Sequence, residues 1–512
     1  MSKIYVCLQV RTSSKRMPYK CLLPIKNSES IKILINRIKS KKYSLNILTS
    51  IDPSDDFLVK KIKNTKCNIY RGDLDNVYKR FLNFSKDLND DDVIVRVTGD
   101  NIFIDHYLIN EVVTYLKKNN FNYVGIDRKK SNLPYGISVE AFNFKTFKKW
   151  RAISKFEKEH VTPRILKYEK NIGFFHKKNS INFYNLNCTM DTILDYHKIN
   201  LCFQKARSTK VSYIDLCNIL KNIKKKDVDI ANKKYSKIVI GSAQFDGKYG
   251  VANKSRINNH EIKKLLNEAF AVGINKVDTA VTYGKVHSLL LKIPIISKFE
   301  VTSKDKIIEK KIYKFENSFL RVVKSFGKKN LKFFLIHNSN KFIQNSKKIL
   351  KVTKKNKQLL NKIGISLYEP DEIKKENVNY FKNIQIPFNI IDKRWKNYLN
   401  KKNVYARSIY LQGIFFCDKK NIPPNIKKEV INLKKKLLSL VKKLGRVNLQ
   451  DLLVNYVRYY NFEGNIYGFD NTLQLRELLF FYNRPILKFN EIKIINNNLK
   501  SSKKIIDPRK WK

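Results

Sequence analysis

The chain lacks the marks of a membrane protein, a secreted protein or a zinc-ribbon protein. Its longest unbroken apolar runs, Leu478-Leu479-Phe480-Phe481 and Phe333-Phe334-Leu335-Ile336, fall far short of the roughly 20 apolar residues of a membrane-spanning helix. Its beginning, Met1-Ser2-Lys3-Ile4-Tyr5-Val6, enters a short apolar strand without a long apolar core or a small-residue cleavage site, so a cytoplasmic location is expected. The seven cysteines, Cys7, Cys21, Cys67, Cys188, Cys202, Cys217 and Cys417, include no C-x-x-C pair. Their odd number fits a reducing compartment rather than a disulfide framework, and no zinc-site spacing appears. Solenoid-length repeats are missing too. Acidic residues are scarce, 44 against 104 Lys and Arg, for a formal net charge of +60. The excess is lysine spread along the whole chain among Asn and Ile. No basic stretch alternates with base-stacking aromatics, so no specific nucleic-acid partner is expected.

What is present is enough for two folded domains. The chain has 512 residues, of which 43% are hydrophobic and 12% aromatic, which excludes a disordered polymer and favours two domains of ordinary size. In the second half an apolar strand, a loop and an amphipathic helix recur. The expected strands are 238–240, 276–278, 294–296, 331–336, 362–366, 384–388, 404–409 and 466–468, with helices such as 258–271, 304–324, 346–356 and 447–460 between them. Eight such units over about residues 237–490 predict a (β/α)8 TIM barrel with its active site on the loops at the strands' C-terminal ends. The first half also alternates, with strands at 4–10, 45–49, 67–70, 92–97 and 123–125 and helices near 31–39 and 75–87. An α/β fold follows, an open, mostly parallel nucleotide-binding sheet with helices on both faces. The charged run Lys221-Asn222-Ile223-Lys224-Lys225-Lys226-Asp227 breaks the pattern. The expected division is 1–221, a basic linker 222–236, the barrel 237–490 and a basic, solvated tail 491–512.

Four barrel residues fall at or just beyond expected strand ends: Asp278, Tyr283, Lys298 and His337. Reducing a carbonyl needs a proton donor at the developing alkoxide, and tyrosine, with a pKa of about 10, donates poorly near neutrality unless a cation lowers that value. Lys298 would supply the cation, Asp278 would hold it, and His337 would orient the carbonyl oxygen. Each alone is more often structural: a cap, a rim residue, a surface charge or a core imidazole. As a set they resemble the aldo/keto reductase family. Gly241-Ser242-Ala243-Gln244-Phe245, Tyr249-Gly250-Val251-Ala252-Asn253, Asp278-Thr279-Ala280, Tyr283-Gly284, Leu335-Ile336-His337-Asn338, Gly364-Ile365-Ser366, Ile384 to Asn389 and Ala406-Arg407-Ser408 follow in family order. The resemblance implies that Asp278, Tyr283, Lys298 and His337 form the catalytic tetrad. It also implies that Ser366, Gln385 and Ser408 contact NADP or NAD, with Gly468 and Asp470 near the last strand. Asp470 stands where a basic residue often holds the 2′-phosphate of NADP, and a carboxylate there suits the ribose hydroxyl of NAD. Lys285-Val286-His287 replaces the usual residues after Tyr283-Gly284, which alters the substrate rim.

In the first half, a loop dense in cations follows the first strand: Gln9-Val10-Arg11-Thr12-Ser13-Ser14-Lys15-Arg16-Met17-Pro18-Tyr19-Lys20. It is not a Walker loop, but it lies at a sheet edge where nucleotides bind. Val95-Arg96-Val97-Thr98-Gly99-Asp100 and Thr189-Met190-Asp191-Thr192 each end an apolar stretch in a carboxylate of the kind Mg2+ prefers alongside phosphates. Alone, each aspartate is more often a turn former. Together with Arg71-Gly72-Asp73, Tyr135-Gly136, Val139-Glu140 and Glu159-His160-Val161-Thr162-Pro163, these stretches resemble the cytidylyltransferases that make CMP-sugars, in the branch named for spore-coat polysaccharide synthesis. That resemblance implies Mg2+ on Asp100 and Asp191, with Arg11, Ser14, Arg16 and Lys20 binding nucleotide. CTP and an acid sugar would be the substrates. Ser13 and Tyr19 stand where the family has glycines. A bifunctional enzyme of surface-polysaccharide or sugar-nucleotide metabolism is therefore expected, with a carbonyl substrate for the barrel and a homodimer as its assembly. The alternatives are a metal-dependent glycosyltransferase using Asp73-Leu74-Asp75 and a barrel that binds cofactor without catalysis.

Overall fold

In a computed structural model the chain divides into two compact units, Met1–Ala231 and Asn232–Lys512. All residues are described except 1, 178, 248, 253–256, 308–310, 338–346, 348–350, 352–353, 356, 374–379, 396–397, 400–402, 500–501 and 512. The division falls inside the segment expected as a linker, which contains the helix Lys225–Asn232. Most of the helix expected at 346–356, together with Asn253 and Asn338, lies outside the described residues.

Among its described residues the first unit has nine strands in chain order: β1 (Ile4–Gln9), β2 (Pro24–Ile25), β3 (Ser28–Glu29), β4 (Ser44–Ser50), β5 (Asn68–Gly72), β6 (Val93–Thr98), β7 (Tyr123–Ile126), β8 (Glu140–Asn143) and β9 (Ile172–Phe175). Strands β2 and β3 form a small hairpin, and the other seven form one sheet in the order β5-β4-β1-β6-β8-β7-β9. Only β8 runs against its neighbours. Side chains alternate between the faces of a strand, and in β1 Val6, Cys7 and Leu8 are all fully buried. The sheet is thus covered on both faces. On one of them Cys7, Leu48 and Ile94 pack with Val77, Phe81 and Phe147 from the helices Val77–Phe84 and Phe144–Lys149. At 25 cal/mol per Å2, each such side chain contributes roughly 1.5–3 kcal/mol of burial.

The second unit is a closed parallel barrel of eight strands: β10 (Ile238–Gly241), β11 (Lys276–Asp278), β12 (Glu300–Asp305), β13 (Leu331–Ile336), β14 (Ile363–Ser366), β15 (Asn383–Pro387), β16 (Val404–Arg407) and β17 (Gly464–Gly468). Closure runs through β17 and β10, where Ile238 is in register with Asn465 and Gly241 with Gly468. One expected strand is displaced. Residues 294–298 form a 3-10 helix begun by Pro294, and the third strand is Glu300–Asp305, past the expected strand and running into the start of the helix expected at 304–324. Its buried Thr302 and Lys304 alternate with fully buried Val301 and Ser303. With Thr302, Ser303 and Lys304 polar in succession this strand has no apolar run to read.

The C-terminal segment also differs from its expectation. Rather than a solvated tail, it contains the helix Phe489–Asn498 and buries Ile505 and Ile506. Lys393 donates to the carbonyls of Asn496 and Leu499, and Arg509 lies 4.3 Å from the ring of Tyr368.

Candidate active sites

In the first unit, sheet register does the positioning. β1 and β6 are parallel with Gln9 opposite Thr98, and the Gly99 amide donates to Gln9 O at 2.9 Å. The Arg11–Lys20 loop and Asp100 therefore leave the sheet side by side. A Cβ at Gly99 would lie 2.9 Å from Val10 Cγ2, so the small residue permits this approach. Asp191 arrives from the far side of the sequence. Thr192 caps the helix Ile193–Lys205 in a reciprocal box with Asp195, which fixes the chain where Asp191 enters it. The Met190 amide donates to Asp100 O at 3.1 Å.

Asp100 and Asp191 thus converge, and Lys20 lies between them. Its Nζ is 2.6 Å from Asp100 Oδ2 and 3.1 Å from Asp191 Oδ1. Arg16 reaches the other oxygen of Asp191 at 2.5 Å. Burial pushes the Asp100 carboxyl up, but the Lys20 ammonium overrides this and holds it below the ordinary value. The donor set fits a hard divalent cation, being two carboxylates already grouped around one positive charge. Arg11 donates to Leu74 O at 2.9 Å and approaches Asp75 and Glu159 at 3.5 and 3.4 Å. Ser14 Oγ accepts from the Met17 amide at 3.3 Å. Tyr19, at a family glycine position, takes the left-handed conformation with φ 56° that glycine adopts without strain.

Two supports beneath the loop escape a search for exposed cations. Asp55, fully buried, accepts from the amide and hydroxyl of Thr12, both at 2.7 Å, and from Thr49 Oγ1 at 3.0 Å. Glu140 pairs with Arg96 and accepts from Tyr123 at 2.8 Å and Thr162 at 2.7 Å. Burial raises the Glu140 carboxyl, and Arg96 with these hydroxyls more than reverses the shift. The Asp-x-Asp alternative fares less well. Asp73 Oδ1 accepts from the amides of Asp75 at 3.0 Å and Asn76 at 2.8 Å, so that carboxylate serves a turn.

In the barrel, Asp278 ends β11 and Lys304 lies near the end of β12. Lys304 Nζ is 2.8 Å from Asp278 Oδ2 and 2.9 Å from Gln385 Oε1, while Gln385 Nε2 donates to Asp278 Oδ1 at 2.6 Å. The lysine at Asp278 is therefore Lys304. Lys298 ends the 3-10 helix, exposed, with its ammonium 5.4 Å from the Phe270 ring. The Tyr283 ring lies 5.8 Å from Lys304 Nζ and 6.0 Å from the His337 ring. Burial and the Asp278 charge raise the Tyr283 hydroxyl above its ordinary value, whereas a depressed value was expected. The Lys304 charge is already engaged by Asp278 and Gln385. His337 is driven down to about 3 by burial and by the cations Lys304, Arg407 and Lys306, so its imidazole is neutral. Thr282 Oγ1 lies 3.3 Å from its Nδ1.

Asp278, Tyr283 and Lys304, but not His337, line a cavity of about 790 Å3 together with Arg407, Ser408, Gly468 and Asp470. The volume is within the range of small-molecule and cofactor sites, and Gly241, Gly250, Gly413 and Gly468 bring bare backbone to its wall. Asp470 accepts from Gln244 at 2.9 Å and Gln474 at 3.2 Å. Ser366 and Gln385 are buried, 2% and 1% exposed, and Gln385 is spent on Asp278 and Lys304 rather than presented to the cavity.

Among the described residues no helix is long and apolar enough to cross a membrane. Comparison with known proteins follows the same division. The cytidylyltransferase family model matches residues 5–234 and the aldo/keto reductase family model residues 237–499. The uncharacterized protein MJ1063 of Methanocaldococcus jannaschii is 36% identical over 225 residues, 42% of this chain and 86% of that protein. The spore coat polysaccharide biosynthesis protein SpsF of Bacillus subtilis is 27% identical over 217 residues, 40% of this chain and 88% of that protein. Among solved structures, a cytidylyltransferase from Leptospira borgpetersenii is 25% identical and covers 43% of this chain and 95% of its own, with a TM-score of 0.40. An aldo-keto reductase from Bacillus halodurans is 14% identical and covers 53% of this chain and 95% of its own, with a TM-score of 0.41. The chain belongs to the aldo/keto reductase family through residues 237–499, just over half its length, and joins to that domain a cytidylyltransferase domain at residues 5–234.

Proposed function

We propose that the first unit transfers a cytidylyl group from CTP to an acid sugar and that the second reduces a carbonyl with NAD(P)H, both in surface-polysaccharide or sugar-nucleotide metabolism. The observation that carries the first half is the convergence of Asp100 and Asp191 on one cationic centre beside the Arg11–Lys20 loop. Asp100 and Asp191 would hold Mg2+, which when bound offsets the charge of the phosphates. Arg11 and Arg16 neutralise the triphosphate, and Lys20, once it leaves the carboxylates, adds a third cation. A sugar oxygen then attacks the α-phosphorus and pyrophosphate departs. The likeness to SpsF supports the polysaccharide setting.

For the barrel, Ser408, Gly468 and Asp470 on the cavity wall would hold the nicotinamide cofactor, which when bound supplies the reducing equivalent. Tyr283 gives its phenolic proton to the carbonyl oxygen, and neutral His337 orients that oxygen. Lys304 stabilises the phenolate left behind, and Asp278 and Gln385 hold Lys304 in place.

Incubating the full chain with CTP, Mg2+ and a panel of acid sugars tests the first half through pyrophosphate release. Asp100→Asn and Asp191→Asn should abolish release, and no release by the wild type across the panel overturns the assignment. For the barrel, Tyr283→Phe should keep cofactor binding while carbonyl reduction falls by about 10²- to 10⁴-fold; a variant as active as wild type removes Tyr283 as proton donor.

A further inference from the structure

Arg407 is a cation of the barrel cavity that no carboxylate among the described residues neutralises. Lys304 is paired with Asp278, and Lys434 donates to Cys417 O at 2.7 Å. Arg407, at the end of β16, lines the cavity and forms no ion pair with a carboxylate among the described residues. Its guanidinium is held rather than mobile: it donates to Leu367 O at 2.8 Å and Ser408 Oγ at 3.2 Å and lies 4.5 Å from the Tyr368 ring. Its Nε is buried with no hydrogen-bond partner. The carboxylates nearest in sequence to its supports are turned elsewhere, since Glu369 pairs with Arg394 and Arg509. Asp470, also on the cavity wall, is bonded to two glutamine amides.

A fixed guanidinium that lacks a counter-ion and faces a cavity is arranged for a planar anion, because its donors match carboxylate geometry. Its positive charge is felt at Tyr283, Tyr249 and His337, so it acts at the acid–base end of the cavity. Resting on the assignment of the barrel as a carbonyl reductase, we propose that Arg407 binds a carboxylate on the substrate close to the reacting carbonyl, making the second unit a reductase of oxo acids or acidic sugars. In the reaction the C=O π bond breaks, the carbonyl carbon gains hydride from NAD(P)H, the oxygen gains the Tyr283 proton, and NAD(P)+ leaves. The carboxylate stays unchanged and paired with Arg407. An acidic substrate is also the class proposed for the first unit, so one acidic compound could supply both sites or pass from one reaction to the other.

The test uses the full chain and a size-matched pair of aldehydes, glyoxylate with a carboxylate and glycolaldehyde with a neutral hydroxymethyl group. Wild type should favour glyoxylate in kcat/KM. Arg407→Met should reduce that preference by about 10- to 100-fold, the usual worth of a charge-assisted hydrogen bond, and Arg407→Lys should keep part of it. An unchanged preference in a folded Arg407→Met protein overturns the proposal. So does a fall accounted for by weaker NAD(P)H affinity, measured by cofactor fluorescence, since the guanidinium would then serve the cofactor's phosphates. Should neither aldehyde turn over, the perturbation of bound-cofactor fluorescence by glyoxylate decides. Its appearance in wild type and loss in Arg407→Met supports the proposal, and its absence in wild type overturns it. Cofactor binding with reduction of neutral aldehydes only would leave the reductase assignment standing and sink the acid preference alone.

Discussion

At the scale of single residues, Lys304 and Asp278 form a buried pair, with side chains 2% and 5% exposed. Removing one member of such a pair strands the other charge, which costs about 3–5 kcal/mol. Lys304→Met should therefore lower both the melting temperature of the second unit and its carbonyl reduction, the latter by about 10²-fold or more. Lys298→Met should leave both near wild type; a reversed pattern in paired melting and rate measurements would return the role to Lys298. Two histidines set an acid limit. Burial drives His337 down to about 3 and His287 to about 4, against about 6.5 in an unfolded chain. Below pH 6.5 the unfolded chain takes up protons that the folded one refuses, so stability should fall as pH drops from about 6.5 toward 4. Thermal melts across that interval should become less pH-dependent in His287→Asn and His337→Gln. Asp278, Tyr283 and His337 could be singled out in the sequence as candidates because each sits beside a strand or motif with a clear signal. Lys304 could not be, because a barrel interior that is polar at the strands' C-terminal ends erases the apolar pattern by which strands are found.

At the scale of elements, the misread pieces share a cause. β8 and β9 are four residues long, too short to show alternation, and β8 reverses direction in a sheet expected to be mostly parallel. The C-terminal segment looked like a solvated tail because lysine and asparagine outnumber its apolar residues. Yet Ile505 and Ile506 are 4% and 3% exposed, and two buried isoleucines contribute up to about 3–6 kcal/mol. Arg509 on Tyr368 adds to this, and Tyr368 in turn touches Arg407. Deleting residues 500–512 should lower the melting temperature of the second unit and weaken its discrimination between acidic and neutral aldehydes. A truncated chain that melts and discriminates like wild type would show that the segment holds nothing in place.

At the scale of the whole molecule, the two-part organisation was readable from length and from the change of rhythm near Lys221, and the break lies ten residues further on, after Ala231. Charge runs mark polar surface, and a helix can carry one as well as a linker can. Each unit has its own sheet and core, so residues 1–231 and 232–512 expressed separately should each give a cooperative melt; failure of either alone would mean that its core is completed by the other. One feature of the first unit reaches beyond its fold. Because Lys20 already sits between Asp100 and Asp191, the resting site is guarded by a tethered competitor for any divalent ion. On the proposed assignment free metal would have to evict it, and incoming triphosphate would give the evicted ammonium somewhere better to go, so metal and nucleotide should enter as a couple. Mn2+ titrated into the full chain should bind weakly alone and more tightly with CTP, and Lys20→Met should bind Mn2+ alone more tightly than wild type while losing most of that coupling.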